Sequence, residues 1–161
     1  MQVAHYGQVD FPLSEKTYDH NEICAMLDVL LSDKLTMGKN VESFEREFAN
    51  FIGSKYAVMV NSGSSANLLA TFAAGNPLRK KAFKRGDEIL VPALCWSTSI
   101  WPLVQFGLKP VFVDIDIETL NLNFQDLKRK ITKRTKGIML INVLGVSSDL
   151  IKISKLAKKN N

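Results

Sequence analysis

Between Asn61 and Ser65 the chain reads Asn-Ser-Gly-Ser-Ser, a concentration of small polar residues with hydrogen-bonding side chains. The group follows the apolar run Tyr56 to Val60 and leads at once into an alanine- and leucine-rich stretch, residues 65–74. A strand that gives way to a helix in this manner leaves several backbone N–H groups unpaired at the carboxyl edge of a sheet. The helix dipole at that point favours an anion. Gly63 lets backbone approach a ligand closely, and the Ser64 and Ser65 hydroxyls, with Ser62 beside them, add rotatable donors. A phosphate group needs this chemistry, supplied here without a fixed positive charge. The pattern is neither the Gly-x-x-x-x-Gly-Lys phosphate loop nor the Gly-x-Gly-x-x-Gly dinucleotide fingerprint. A serine cap with no ligand explains the same residues equally well.

Two later stretches carry side chains of interest. In "VPALCWSTSIWPLVQFG", residues 91–107, Trp96 falls at a strand-to-helix junction among Ser97, Thr98 and Ser99. An indole there can lie flat on an aromatic ligand or serve as a large core anchor. Trp101, deeper in the helical stretch, reads as a core anchor. In "GLKPVFVDIDIETLNLN", residues 107–123, Asp114 and Asp116 form a carboxylate pair suited to metal binding or acid–base work. No third carboxylate or histidine converges on them. They read as a turn and helix-cap system in which Asp116, Thr119 and Asn123 bond nearby backbone. Cys24 and Cys95 lie outside any Cys-x-x-Cys spacing and make no metal set with His5 and His20. They read as small buried hydrophobes in a reducing compartment.

The elements that position these residues follow from periodicity. Residues 1–20 show no clear pattern and are expected to run over a surface. Residues 21–33 place Ile23, Met26, Leu27, Leu30 and Leu31 at helical spacing, with Asn21 as the expected N-cap. A second helix is expected from Val41, its apolar face formed by Val41, Phe44, Phe48 and Phe51 and its stop by Gly53. Beyond Tyr56, apolar runs at 56–60, 87–92, 109–115 and 137–142 alternate with helical segments at 65–74, 97–106, 123–131 and 149–159. The runs are continuous rather than alternating, as in strands covered on both faces. Four parallel strands joined by right-handed helical crossovers are predicted, an α/β fold.

Composition bounds the partners. The 161 residues are 46% hydrophobic and 23% charged, which is ordinary for a globular domain with a real core. The net charge of +5 is concentrated at residues 79–85, 128–136 and 152–159. These clusters read as solvated helix ends and loops, with no aromatic interleaving to suggest a nucleic-acid surface. The N-terminus has neither a basic leader nor an apolar signal region, and the longest apolar stretch is about half a membrane span. A cytoplasmic protein without membrane or nucleic-acid partners is expected.

Taken in order, "TMGKNVESFEREFANFIGSKYAVMVNSGSSANLLA", "GDEILVPALCWSTS", "GLKPVFVDIDIETLNL" and "ITKRTKGIMLINVLG" resemble the sugar-nucleotide aminotransferases of the DegT/DnrJ/StrS type. These are fold-type I enzymes that use pyridoxal 5'-phosphate. The wording "VNSGSSANLLA" is similar to the sub-branch acting on deoxysugar nucleotides in lipopolysaccharide and O-antigen synthesis, which holds both aminotransferases and a 3-dehydratase. The resemblance implies a three-layer parallel-sheet sandwich, the N-terminal half of the large domain of such a transferase. It divides the chain into an N-terminal segment with one helix, residues 1–35, and an incomplete cofactor-binding large domain, residues 36–161. It also implies site roles. Gly63 and Ser64 match the cofactor-phosphate site, with Ser62 and Ser65 as neighbours. Trp96 matches the aromatic ring that stacks on the pyridine, and Asn142 a position near the pocket where many relatives have histidine.

The family's pyridine-pairing aspartate and Schiff-base lysine have no match in this chain, so no catalytic residue is assigned. The 3-dehydratases carry histidine at the lysine position. The sequence is therefore expected to be the front part of a larger protein: a truncated chain, a partial gene or one half of a split gene, inactive alone. The resemblance implies, for the whole protein, an aminotransferase that moves an amino group from an amino acid, usually glutamate, to a keto-sugar nucleotide. The alternatives are a sugar-nucleotide 3-dehydratase of the same cofactor class, and a non-enzymatic short protein that binds a phosphorylated ligand or a partner half. The resemblance also implies a homodimer for the complete protein.

Overall fold

A computed structural model describes residues 15–160. The expected surface course of residues 1–20 falls mostly outside the described residues, as does His5. The chain divides into two units, Met1–Met59 and Val60–Asn161.

In the first unit, α1 (His20–Leu31) starts from a capping box. The Asp19 carboxylate accepts from the Asn21 N–H at 2.7 Å, and the Asp19 N–H donates to Glu22 at 2.8 Å. The cap is therefore Asp19 and not the expected Asn21. The reason is local: Asp19 has an acid three residues on, so two orphan N–H groups are satisfied reciprocally. The apolar stripe of α1 is exposed, as is Cys24, which corrects the expectation of a buried thiol. Helix α2 (Lys39–Ile52) stops at Gly53, whose φ of 71° is a left-handed C-cap that suits glycine. Phe44 and Phe48, one turn apart on the same face, stack with centroids 5.6 Å apart.

The second unit opens with α3 (Gly63–Ala74). Strand β1 (Glu88–Pro92) follows, then a 3-10 turn at Ser97–Ser99, α4 (Trp101–Phe106) and β2 (Lys109–Val113). The unit ends with α5 (Phe124–Lys130), β3 (Thr135–Ile138), a second 3-10 turn at Val143–Gly145 and α6 (Leu150–Asn160). The strands are parallel in the order β2-β1-β3. The central strand is buried throughout. Leu90 packs on one face with Val113, Leu122, Leu127 of α5 and Ile153 of α6. Ile89 and Val91 pack on the other with Leu103 of α4 and Leu108. Helices thus cover both faces of a parallel sheet, the three-layer α/β arrangement predicted from the continuous apolar runs.

The sheet has three strands among the described residues rather than four. Residues 56–60 form no ladder, and Tyr56, Val58 and Met59 are exposed. A strand requires a neighbour to take its N–H and C=O groups, and no described segment pairs with this one. Strand β3 is also shorter than its apolar run. The ladder ends at Ile138, although the Met139 N–H still donates to the Leu90 carbonyl at 2.8 Å.

Helix α3 lies on α4, with the Phe72 and Phe106 rings edge to face at 5.3 Å. Gly75 closes α3 against Phe106, where an added Cβ would overlap the ring. At the amino edge of the sheet, the buried Glu88 carboxylate accepts from Thr132 and from Arg134 at 2.7 Å, tying β1 to the segment that enters β3. The Thr132 hydroxyl, helped by Arg134, holds the Glu88 carboxyl below the usual carboxylate range against the opposing effect of burial. Among the described residues, no helix is long and apolar enough to cross a membrane.

Candidate anion and aromatic-ring site

Ser62 is the N-cap of α3, in extended backbone, and its Oγ accepts from the Ser65 N–H at 3.2 Å. The Ser65 hydroxyl donates to Asn61 Oδ1 at 2.6 Å. One orphan N–H of the first turn is therefore capped from within. The Gly63 and Ser64 N–H groups make no hydrogen bond among the described residues and stay available. A Cβ built on Gly63 meets nothing within 4 Å, so the chain is uncrowded on the side-chain side of this residue. Two convergent N–H donors at a helix start, with the Ser64 hydroxyl, can take an anion. Ser62 and Ser65 are occupied in shaping the turn.

Trp96 begins the 3-10 turn after β1, and its carbonyl accepts from the Ser99 N–H at 2.9 Å. The residue is 74% exposed, so it is no core anchor. Trp101 is 58% exposed, contrary to the expectation of a core residue. At the start of a short helix, it is Pro102 and Leu103 that turn inward. The neighbouring Cys95 is half-buried, and desolvation pushes its thiol pKa up, away from thiolate chemistry. The Trp96 turn and α3 are joined by the Asn67 side chain, whose Nδ2 donates to the Thr98 carbonyl at 3.3 Å. Asn67 was not singled out from sequence, where a polar residue within a helix is not distinctive.

Asn142 follows β3 on the same carboxyl edge. Its Oδ1 accepts from the Ser148 N–H at 3.1 Å, closing the loop around the second 3-10 turn. The buried Asn121 ties that loop to the β2–α5 connection, with Nδ2 donating to the Val146 carbonyl at 3.0 Å. No hydrogen bond among the described residues joins the Asn142 loop to α3. The structure thus ties Ser62–Ser65 and Trp96 to one helix, and holds Asn142 at the sheet edge on separate supports.

The Asp114 and Asp116 pair is structural, as read from sequence. Asp116 Oδ1 accepts from the Glu118 and Thr119 N–H groups at 3.0 and 3.2 Å. Asn123 caps α5 through the Gln125 and Asp126 N–H groups. The buried Asp126, not noticed in the sequence, anchors this connection. It accepts from the Asp114 N–H at 2.8 Å and pairs with Lys130 at 2.8 Å and with Arg129. The Lys130 bond first, then the Asp114 amide and Arg129, lower its pKa to about 2. No metal-binding group of His, Cys, Asp and Glu occurs among the described residues.

The profile of the DegT/DnrJ/EryC1/StrS aminotransferase family matches residues 16–161. The chain belongs to this family. Within it, the chain is 47% identical over 150 residues to a GDP-4-keto-6-deoxy-D-mannose 3-dehydratase of Yersinia pseudotuberculosis, covering 93% of this chain and 38% of that protein. It is 37% identical over 137 residues to a dTDP-3-amino-3,6-dideoxy-alpha-D-galactopyranose transaminase of Aneurinibacillus thermoaerophilus, covering 85% and 36%. Among solved structures, it superposes on the E. coli GDP-4-keto-6-deoxy-D-mannose-3-dehydratase with bound hydrated PLP. The TM-score is 0.85 at 46% identity, over 94% of this chain and 39% of that one. The chain therefore spans less than two-fifths of the length of these DegT/DnrJ/EryC1/StrS relatives.

Proposed function

We propose that this chain forms the phosphate-gripping and ring-stacking part of a pyridoxal 5'-phosphate site in a sugar-nucleotide 3-dehydratase. The carrying observation is the open pair of Gly63 and Ser64 amides at the start of α3, tied through Asn67 to the turn that bears an exposed Trp96. These residues fit the cofactor chemically. The amides and the Ser64 hydroxyl take the phosphate, and the Trp96 indole offers a flat apolar face to the pyridine. Asn142, on the same sheet edge, is assigned to the pocket wall. Bound here, pyridoxal phosphate supplies an electron sink. This chain's own residues anchor and orient it.

The dehydratase reading is supported by the 47% identity to a 3-dehydratase and the superposition on another solved with PLP. Its substrate is then a keto-sugar nucleotide, whose diphosphate suits a chain of net charge +5. The second reading, amino transfer from an amino acid to such a sugar, is supported by the family's description and the 37% identical transaminase. The resemblance makes lysine or histidine at the Schiff-base position the deciding residue, and no position of this chain matches it. We place the whole protein in the cytoplasm as a homodimer.

The test is a titration with pyridoxamine 5'-phosphate beside unphosphorylated pyridoxamine. Binding that depends on the phosphate, and is lost in the Gly63→Val, Ser64→Ala double variant, is expected. Equal binding of the two ligands would refute the assignment.

A further inference from the structure

We propose that Asn67 is a positioning residue that holds the Trp96 turn in place against the first turns of α3, an inference that rests on the cofactor reading above. The two halves of the site lie on different segments of chain, and Asn67 bridges them. It sits four residues after Gly63, about 6 Å along the helix, a separation comparable to that of a phosphate and a ring on one small molecule. Its Nδ2 donates to the Thr98 carbonyl at 3.3 Å, across 31 residues of sequence. Its backbone is engaged independently, since the Asn67 carbonyl accepts from the Thr71 hydroxyl at 2.8 Å. Side-chain substitution therefore leaves that bond in place.

Two features make the turn dependent on this bond. Trp96 is 74% exposed, so its own packing does not fix its side chain, and its location follows the backbone beneath. That backbone is a single 3-10 turn closed by the Ser99 N–H on the Trp96 carbonyl and the Ile100 N–H on the Ser97 carbonyl. The Thr98 carbonyl points out of this small loop, and Asn67 takes it. Asparagine is also a poor helix former compared with the alanine and leucine around it. Its presence within α3 is explained by the bond it makes.

The experiment uses the full chain with Trp101→Phe, which leaves Trp96 as the remaining tryptophan of two. Asn67→Asp keeps the shape and removes the donor, Asn67→Leu removes all polarity, and Asn67→Gln retains a donor on a longer arm. Trp96 fluorescence anisotropy and acrylamide quenching are measured without ligand. Melting temperature and affinities for pyridoxamine 5'-phosphate and inorganic phosphate follow. The expected result is lower anisotropy and greater quenching in the Asp and Leu variants, with partial restoration in Gln and a melting temperature within a few degrees. Pyridoxamine phosphate should weaken by about fivefold, as for loss of one net hydrogen bond, while inorganic phosphate is unaffected. Unchanged Trp96 anisotropy in folded Asp and Leu variants would overturn the proposal. So would loss of the cooperative melt in both, which would make Asn67 a residue of the fold. Reduced anisotropy with no phosphate-dependent ligand binding in the parent chain would sink the cofactor reading and leave the tether standing.

Discussion

Replacing Gly63 with alanine adds one methyl group at the first residue of α3, where folding and ligand binding should respond in opposite directions. The Cβ meets no protein atom within 4 Å, and Gly63 is not among the glycines with positive φ. The native state therefore accepts alanine without strain, and the unfolded chain loses freedom. A stabilisation of about 0.4–1 kcal/mol follows, or about 2–8 °C in melting temperature for a unit of this size. An anion, however, would approach through the space the methyl fills. Losing one charge-assisted bond from the Gly63 or Ser64 amide costs about 1.5–3 kcal/mol, roughly tenfold to a hundredfold in affinity. Calorimetric titration with pyridoxamine 5'-phosphate reads this cleanly, because its amine does not condense with surface lysines as the aldehyde does. The reasoning is refuted if Gly63→Ala melts higher yet binds as the parent does, or if unphosphorylated pyridoxamine loses affinity in parallel.

Gly75→Ala should act with the opposite sign. Its Cβ overlaps the Phe106 ring, held by Phe72 and the Ile89 and Leu103 cluster, so overpacking of about 1–3 kcal/mol is expected in denaturant unfolding. Leu127→Ala empties a fully buried position among Leu90, Val113, Leu122 and Ile153 and should cost about 3–5 kcal/mol in the same assay; a loss under about 1 kcal/mol would contradict the described core. Acid should unfold the second unit progressively. The folded-state pKa of Asp126 is depressed to about 2 and that of Glu88 is lowered, so their contributions are full above about pH 5 and fade as pH falls through the folded values. Asp126→Asn should flatten the pH dependence of the melting temperature between about pH 4 and 2, and an unchanged slope would count against the Asp126 cluster.

The sequence signals that were legible are those set by short-range chemistry. The continuous run at 87–92 announced a strand buried on both faces, and β1 is that strand, with Leu90 in one core cluster and Ile89 and Val91 in the other. The small polar group at 61–65 announced a capped helix start, and Ser62 caps α3 through Ser65. What a strand requires from a distant neighbour was not legible. "YAVMV" has the composition of β1, but a ladder needs a partner and none of the described segments supplies one. Burial at Trp101 and Cys24 depends on the same distant neighbours: their apolar character is visible in the sequence, the surfaces they face are not, and both are exposed. Asn67, Asn121 and Asp126 escaped notice because each acts on a carbonyl or amide far along the chain or across a turn, and backbone groups leave no mark in sequence. The one available clue to Asn67 is a poor helix former set directly among Ala66, Leu68, Leu69 and Ala70.

Backbone amide NMR of the chain titrated with pyridoxamine 5'-phosphate addresses the central claim most directly. The account predicts saturable downfield shifts of the Gly63 and Ser64 amides, with perturbation of the Trp96 indole N–H and little change along β3 and α6. Shifts confined to other residues, or none at Gly63 and Ser64 under saturating ligand, would contradict it.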